Sequence, residues 1–432
     1  MNTVSKLAFS YRSHFTCSLS SFLPKSLVVP FNQISDKKYK CLIKAGEPIT
    51  EGQLLAFPMH GDESDDAAVN APIPGIAGAV VKCRLPNGRM GQGLEIKLAG
   101  SFNYLGKSLE KRDWRLVGHD DVLKLLLAKG VVNTFGGPTS LVSQIASCRK
   151  RGGGYLVVRL FDEDPSRCTD IFVGRNHTSE IAEGASILAS LMGAQGIVFL
   201  LPKDGGTVVE NELVKDFAVL MINVDETKYP CGLKENIIRT VKKHVRNTQS
   251  EYFGDINVNS LFVDSQTLFC VYEAIVLGKP VIESFVEVSG PCLRASAIFK
   301  VRHGTTIADL AKQCGGFKIQ PERVVVNGMV RGIMLSDFEV PITKFVKSLT
   351  FLPKSSLYDQ DFTACIRCGK CRQACPEQLF PDILAGSLLF TDKPPVLFNE
   401  SSVLCSGCNL CNSVCPSHIP LAQIISLLNK DE

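Results

Sequence analysis

No stretch of this 432-residue chain strings together eighteen or more apolar residues, so nothing in it reads as a helix long enough to cross a bilayer. The best candidates, "GIVFLL" and "YEAIVL", have the length of buried strands or helix faces. A strong net charge is missing too: 47 Lys and Arg against 43 Asp and Glu leave +4, too little to imply nucleic acid as a partner. Acid is absent before Asp36, and the opening "MNTVSKLAFSYRSHFTCSLSSFLPK" superficially resembles a transit peptide. That reading also needs an organelle, so residues 1–26 stand as an N-terminal extension of open role.

What is present fits a globular protein of about three ordinary domains. Apolar residues make up 45% and charged residues 21%, unlike a disordered chain. Cysteine is plentiful at 17, but an odd total, nine of them scattered singly (Cys17, Cys41, Cys83, Cys148, Cys168, Cys231, Cys270, Cys292 and Cys314), argues against a disulfide framework. Isolated thiols suit a reducing compartment, where they behave as small buried hydrophobes.

The apolar pattern divides the chain. Residues 27–119 open with short strands between Gly, Pro and Asn turns, in "IKAGEPITEGQLLAF" and "NAPIPGIAGAVVKC", and predict a small β-sandwich. Over 120–280, runs such as "YLVVRLF", "GIVFLLP" and "DFAVLMINV" alternate with helical patterns; Ile181, Ala185, Leu188 and Met192 fall on one helix face. That alternation predicts an α/β domain with a parallel or mixed sheet. Residues 281–349 carry an α+β signature, with Thr306 capping a helix that Gly315 and Gly316 end. The segment "TFLPKSSLYDQDFT", Thr350 to Thr363, reads as a linker into a cysteine-rich tail over 350–432, closed by a helix in "IPLAQIISLLNK".

The chemistry is in that tail. "CIRCGKCRQACP" and "CSGCNLCNSVCP" both follow C-x2-C-x2-C-x3-C-P. Three thiolates at a stride of three wrap three corners of an iron–sulfur cubane, and in two-cluster ferredoxin runs the fourth cysteine ligates the other cluster. The spacing therefore assigns Cys365, Cys368, Cys371 and Cys415 to one [4Fe–4S] cluster and Cys405, Cys408, Cys411 and Cys375 to the second. Pro376 and Pro416 turn the chain away after each crossing ligand, and Gly369 and Gly407 leave backbone room beside the sulfides. Zinc also accepts C-x2-C pairs, but a four-ligand site gains nothing from a third cysteine at that stride. Crossed ligation leaves no open iron for substrate, so the pair reads as an electron wire. His418 beside the second motif reads as a half-exposed surface histidine rather than a tuning group.

Taken in order, these segments resemble the C subunit of the Rnf electron-transport complex, from about Val28 to the end. The resemblance implies a barrel-sandwich hybrid domain over 27–119, a flavin- and nicotinamide-type α/β domain similar to the flavin subunit of respiratory complex I over 120–280, a soluble-ligand-binding β-grasp module over 281–349 and a two-[4Fe–4S] ferredoxin-type α-helical domain over 350–432. Barrel-sandwich carriers present a modified lysine at a hairpin tip; "PMHGDESDDAAVN" has none, which excludes a swinging arm. "NTFGGPT", Asn133 to Thr139, is similar to the family's GGAGFPT loop, with Gly136, Pro138 and Thr139 at matching places, Asn133 and Thr134 where glycines belong, and Gly137 joining Gly136 and Thr139 as a candidate for flavin contact. "DEDP" resembles the family's ECEP, placing Asp162 and Asp164 beside flavin and nicotinamide, with Asp170 matching a further acid; "YPCGLK" retains Gly232 and has Leu233 for a glycine.

Plainer readings stand beside these: turn chemistry for the glycines, including Gly152 to Gly154, and a solvated turn for Asp162 and Asp164. The resemblance implies FMN, NADH as substrate, and a peripheral subunit on the cytoplasmic face of the inner membrane. It would serve integral membrane and iron–sulfur subunits that conduct sodium or protons, with ferredoxin or flavodoxin as carrier. Two alternatives are a relay and assembly subunit without flavin or NADH, and a soluble cobalamin-reductase-like enzyme.

Overall fold

The structure is a computed structural model; it describes residues 15, 17–33, 39–59, 67–137, 139–203, 209, 211–248, 251–354, 362–390 and 396–428. Most of the N-terminal extension, Pro138, the tip of the hairpin expected to lack a carrier lysine and most of the expected linker lie outside the described residues.

Two small sheets enclose the first core. One runs in the order Ser26–Pro30, Met90–Leu98, Gly75–Arg84, Pro48–Ile49, the other Tyr39–Cys41, Leu54–Pro58, Val69–Asn70. Alternate residues such as Leu27 and Val29, Leu94 and Ile96 face inward onto Leu55 and Val69, the period-2 signature of a half-buried strand. The sandwich expected from the turn spacing is present.

The next region is a four-stranded parallel sheet, ordered Ala218–Val224, Gly196–Pro202, Tyr155–Arg159, Leu261–Asp264. Its strands read as unbroken apolar runs because both faces are covered. Leu156, Val158, Ile197 and Phe199 enter one core, while Val157, Val198, Leu200 and Ile222 enter the other. The helix Thr178–Met192 buries Ile181, Ala185, Leu188 and Met192, the face its periodicity predicts, and stops at Gly193 with φ +64°.

A six-stranded mixed sheet follows, ordered Leu19–Ser20, Ala297–Arg302, Glu283–Ser289, Ser348–Leu352, Arg323–Val326, Ile333–Leu335. Thr306 accepts the Asp309 amide at 3.2 Å to cap the helix Ile307–Gln313, which ends before Gly315 and Gly316 at φ +78° and +74°. Two expectations change. The start of the expected linker, from Thr350, is instead a central strand, with Phe351 fully buried and paired to Val324. Part of the N-terminal extension, Leu19–Ser20, adds a parallel edge strand against Ala297–Arg302. Of the nine isolated cysteines, Cys148, Cys168, Cys270, Cys292 and Cys314 are buried, whereas Cys41, Cys83 and Cys231 are partly exposed and Cys17 is exposed. The lone-thiol-in-the-core expectation therefore holds for five positions only.

The junction between the parallel sheet and the six-stranded sheet is ionic. Lys347, 2% exposed at its side chain, donates to Asp170 Oδ1 at 2.8 Å and Asp264 Oδ2 at 2.6 Å. Thr169 Oγ1 donates to the Lys347 carbonyl at 2.7 Å, and the Cys168 amide donates to Glu287 at 2.9 Å. Burial pushes Asp170 up to about 6 despite Lys347. At Asp264 burial is outweighed by Lys347 and Arg159, which hold it well below the usual carboxylate range. Removing one partner of such a group strands the other charges away from water. Lys347→Met is expected to destabilise the chain by about 3–5 kcal/mol, read as a lowered urea midpoint of the full-length protein. Adding Asp170→Asn and Asp264→Asn should restore part of the loss.

Candidate functional site

Among its described residues the cysteine tail folds as five helices, Lys370–Ala374, Pro381–Phe390, Val396–Val403, Leu410–Ser413 and Leu421–Leu428, around a core that includes Cys371, Cys411, Leu384 and Ile425. The two motifs share one backbone path. Left-handed φ occurs at Arg367 (+55°) and Gly407 (+62°), again at Gly369 (+73°) and Asn409 (+59°), and after the prolines at Gln378 (+56°) and His418 (+53°). These are equivalent positions of the two copies. The turns after the crossing cysteines close alike, the Gln378 amide onto Cys375 and the His418 amide onto Cys415, each at 3.2 Å. Gly369 and Gly407 therefore supply a turn that Asn409 and Arg367 also adopt, rather than room unique to glycine. His418 is exposed at the end of its turn.

Two cavities lie in this region. One is lined by Cys365, Cys368, Cys371 and Cys415. The other is lined by Cys375, Cys405, Cys408 and Cys411. In each, the fourth thiol comes from the other motif. All eight are free thiols, and among the described residues no three His, Cys, Asp or Glu converge as a single metal ion would need. Burial pushes the Cys411 thiol up to about 12. Four thiols around each cavity, with amides such as Arg367 N at 3.4 Å from Cys365 Sγ, fit an iron–sulfur cubane, which binds thiolates; Asp382 and Glu377 share the walls but are paired with Arg372 and Arg239.

The two pockets differ in surroundings. The loop at 405–411 is fastened to the body: Tyr229 Oη donates to the Cys408 carbonyl at 2.7 Å, Arg331 Nε to the Gly407 carbonyl at 3.1 Å, and Asn409 Nδ2 to the Val330 carbonyl at 2.8 Å. Tyr229, Leu233, Cys408 and Leu410 pack together beneath it. Every residue from Phe362 to Cys368 is exposed.

The glycine loop sits between the parallel sheet and the tail. Gly136 (φ +68°) and Gly137 (φ +147°) face open space, since a Cβ at either meets nothing within 4 Å. Both border two open cavities, of about 270 Å³ and about 320 Å³, and Thr139 lines the second together with Lys234 and Ser406. The rest of the loop is occupied with itself. Asn133 donates to the Phe262 carbonyl at 2.8 Å and to Gln144 at 2.7 Å, and accepts the Phe135 amide at 3.0 Å. The Thr134 amide donates to Thr267 at 3.0 Å and its hydroxyl to Asp264 at 2.8 Å.

The acids expected beside a flavin are buried and hold backbone amides, and Asp164 also lines the first of these cavities together with Gly136 and Gly137. Asp162 accepts the amides of Asp170 and Ile171, both at 3.1 Å, at the start of the helix Thr169–Asn176, and Arg167 Nε at 3.1 Å. Asp164 reaches the other sheet, accepting the Val330 and Arg331 amides at 2.9 and 3.0 Å as well as the Ser166 hydroxyl at 2.6 Å. Asp170 belongs to the Lys347 junction. The carboxylate that does border both cavities is Glu163, paired with Arg331 and lying 3.7 Å from Arg159, whose guanidinium covers the Phe135 ring at 4.2 Å. None of Glu163, Arg331 or Arg159 stood out in the sequence. Glu163 lies between the two acids of "DEDP" that the resemblance singled out, and Arg331 lies in the 281–349 region, where no charged site residue was expected.

No protein-family model matches the chain. Curated relatives do. The C subunit of the proton-translocating ferredoxin:NAD(+) oxidoreductase complex of Clostridium ljungdahlii is 24% identical over 371 residues, 84% of this chain and 78% of that protein. The C subunit of the ion-translocating oxidoreductase complex of Rhodobacter capsulatus is 24% identical over 83% of this chain and 69% of its own length; that of Buchnera aphidicola is 25% identical over 89% and 80%. Among solved structures, an NAD+-reducing [NiFe]-hydrogenase in the air-oxidized state superposes with a TM-score of 0.47 at 13% identity, over 72% of this chain and 63% of that one, a likeness too loose to bear on function. Along most of its length the chain is thus a homologue of the C subunits of ion-translocating oxidoreductase complexes.

Proposed function

We propose that this protein is an electron-carrying subunit of an Rnf-type ion-translocating oxidoreductase complex, holding one [4Fe–4S] cluster in each four-cysteine pocket. The observation that carries the reading is the exchange of the fourth thiol: Cys415 completes the pocket of Cys365, Cys368 and Cys371, and Cys375 completes that of Cys405, Cys408 and Cys411. When bound, such clusters supply one-electron storage at a potential set by burial and hydrogen bonds to sulfur. The chain's part is to present thiolates, hold the two pockets on one small core and keep the inner one from water. The four regions act as the barrel-sandwich, α/β, β-grasp and ferredoxin-type modules of the resemblance, with the strand Ser348–Leu352 counted in the third. Among the described residues no helix is long and apolar enough to cross a membrane. The place we assign is peripheral, on the cytoplasmic face, against integral subunits that conduct the ion. A ferredoxin or flavodoxin is the soluble carrier.

Flavin and NADH do not fit the glycine loop as it stands. Asn133 accepts the Phe135 amide and Thr267 the Thr134 amide, Asp162 and Asp164 are committed to backbone amides, and the Glu163–Arg331 pair borders both cavities. Of the readings the sequence leaves open, the relay without nicotinamide chemistry is the one this geometry supports.

Anaerobically produced protein is expected to carry about eight irons per chain and no stoichiometric flavin, with no NADH-dependent dye reduction. Zinc in place of iron would sink the cluster reading; bound FMN with NADH activity would overturn only the relay part. Cys375→Ala should cost the cluster of the downstream motif, roughly halving iron and removing one of two electron paramagnetic resonance signals. If the signal lost belongs to the pocket of Cys365, the pairing is wrong.

A further inference from the structure

Of the three side chains that fasten the loop at 405–411, one carries a charge. Tyr229 Oη and Asn409 Nδ2 make neutral bonds, at 2.7 and 2.8 Å, whereas the bond from Arg331 Nε to the Gly407 carbonyl, at 3.1 Å, comes from a guanidinium. Gly407 lies between Cys405 and Cys408, two thiols of the inner pocket. The guanidinium stays close to that backbone, since a Cβ added at Gly407 would stand 3.8 Å from Arg331 Nη2.

The place of Arg331 is built. It belongs to the hairpin at 328–332, whose Gly332 amide donates to the Gly328 carbonyl at 2.9 Å. Asp164 accepts the Val330 and Arg331 amides at 2.9 and 3.0 Å. That approach requires glycine at 328, where a Cβ would collide with the Asp164 carboxyl. The guanidinium pairs with Glu163, which also lies 3.7 Å from Arg159 Nη1. The side chains of Arg331 and Glu163 are 29% and 9% exposed, so solvent and salt screen them less than a surface pair.

The remaining charges here occur in opposite pairs. Glu377 in the wall of the inner pocket is held by Arg239. Lys234 and Glu235, adjacent in sequence, line the cavity that Ser406 shares with Arg331 and Glu163. The upstream pocket likewise has an acid and an arginine, Asp382 with Arg372 at 2.7 Å. What Arg331 adds is a cation delivered from another sheet. At the position equivalent to Gly407 the upstream loop has Arg367, exposed and part of the motif itself.

Resting on the two-cluster reading above, we propose that Arg331 and Glu163 set the reduction potential of the inner pocket's cluster, Arg331 raising it and Glu163 lowering it. Each electron taken up adds one negative charge, which a fixed cation beside the cysteine loop favours and a fixed anion opposes. Neither residue is a ligand. Both act by the position of their charge, which the Asp164 bonds and the Gly328 turn hold in place.

The test is a redox titration of the anaerobically prepared, iron-loaded full-length chain. It is reduced stepwise with dithionite and followed by electron paramagnetic resonance, the inner signal being the one that Cys375→Ala removes. Arg331→Gln is expected to disfavour reduction of the inner cluster roughly tenfold, a drop of about 59 mV for one electron. Glu163→Gln should favour it by a similar factor, and the outer signal should move far less in both. Arg331→Lys keeps the charge without the planar fork and should retain most of the original potential. Lys312→Gln, which removes one charge from the exposed pair Lys312–Asp309, should leave the inner signal where it was.

A merely structural role would push Arg331→Gln and Glu163→Gln the same way; that outcome, or no shift in either, overturns the proposal. So does Arg331→Lys falling as far as Arg331→Gln, equal movement of both signals, or an equal drop in Lys312→Gln, which would mean that only net charge counts. If Arg331→Gln sheds its iron, Glu163→Gln and Arg331→Lys decide by the same criteria. An unmodified chain that holds zinc or no iron instead defeats the cluster reading.

Discussion

The arrangement depends on a single buried ammonium. Lys347 sits just before the strand Ser348–Leu352 of the six-stranded sheet and is shared by Asp170 and Asp264 of the α/β region. From that joint the order passes outward: Asp164 holds the amides of Val330 and Arg331, and Arg331 and the Val330 carbonyl hold the loop of the inner cysteine pocket. Burying charge is costly, and a hydrophobic joint of similar volume would often be at least as stable. What charge adds is direction. Each bond has one geometry, so the relation between the glycine loop, the hairpin at 328–332 and Gly407 is specified rather than merely adhesive.

The same chain of contacts shows which parts of the site were open to reading in advance. The grouping of the cysteines into two pockets that exchange their fourth thiol was legible because the stride of the motifs is regular and repeated. The parallel sheet was legible because strands covered on both faces must be apolar throughout. The strand Ser348–Leu352 was not. Its partners, Glu283–Ser289 and Arg323–Val326, lie far upstream, and the Pro that follows it suggested a linker.

The acids at Asp162 and Asp164 mark a different limit. A carboxylate that binds a ligand and one that caps a helix or gathers backbone amides have the same local sequence; only the fold shows which amides lie within reach. Asn133 and Thr134 tell the complementary story. Asn133 takes the Phe135 amide and Thr267 the Thr134 amide, and the side chains of Asn133 and Thr134 pin the loop to Phe262 and Asp264. An open anion cradle has become a rigid turn that keeps Gly136 and Gly137 exposed beside the inner pocket.

The exchange of thiols between the two cysteine motifs has a further consequence for biogenesis. Neither half of the tail is a self-sufficient unit, because the donor set begun at Cys365 is finished only by Cys415, fifty residues later. On the two-cluster proposal, assembly of the first cluster would wait until almost the whole polypeptide has left the ribosome, and a product ending before Cys405 would keep three thiols of one pocket and a lone Cys375 of the other.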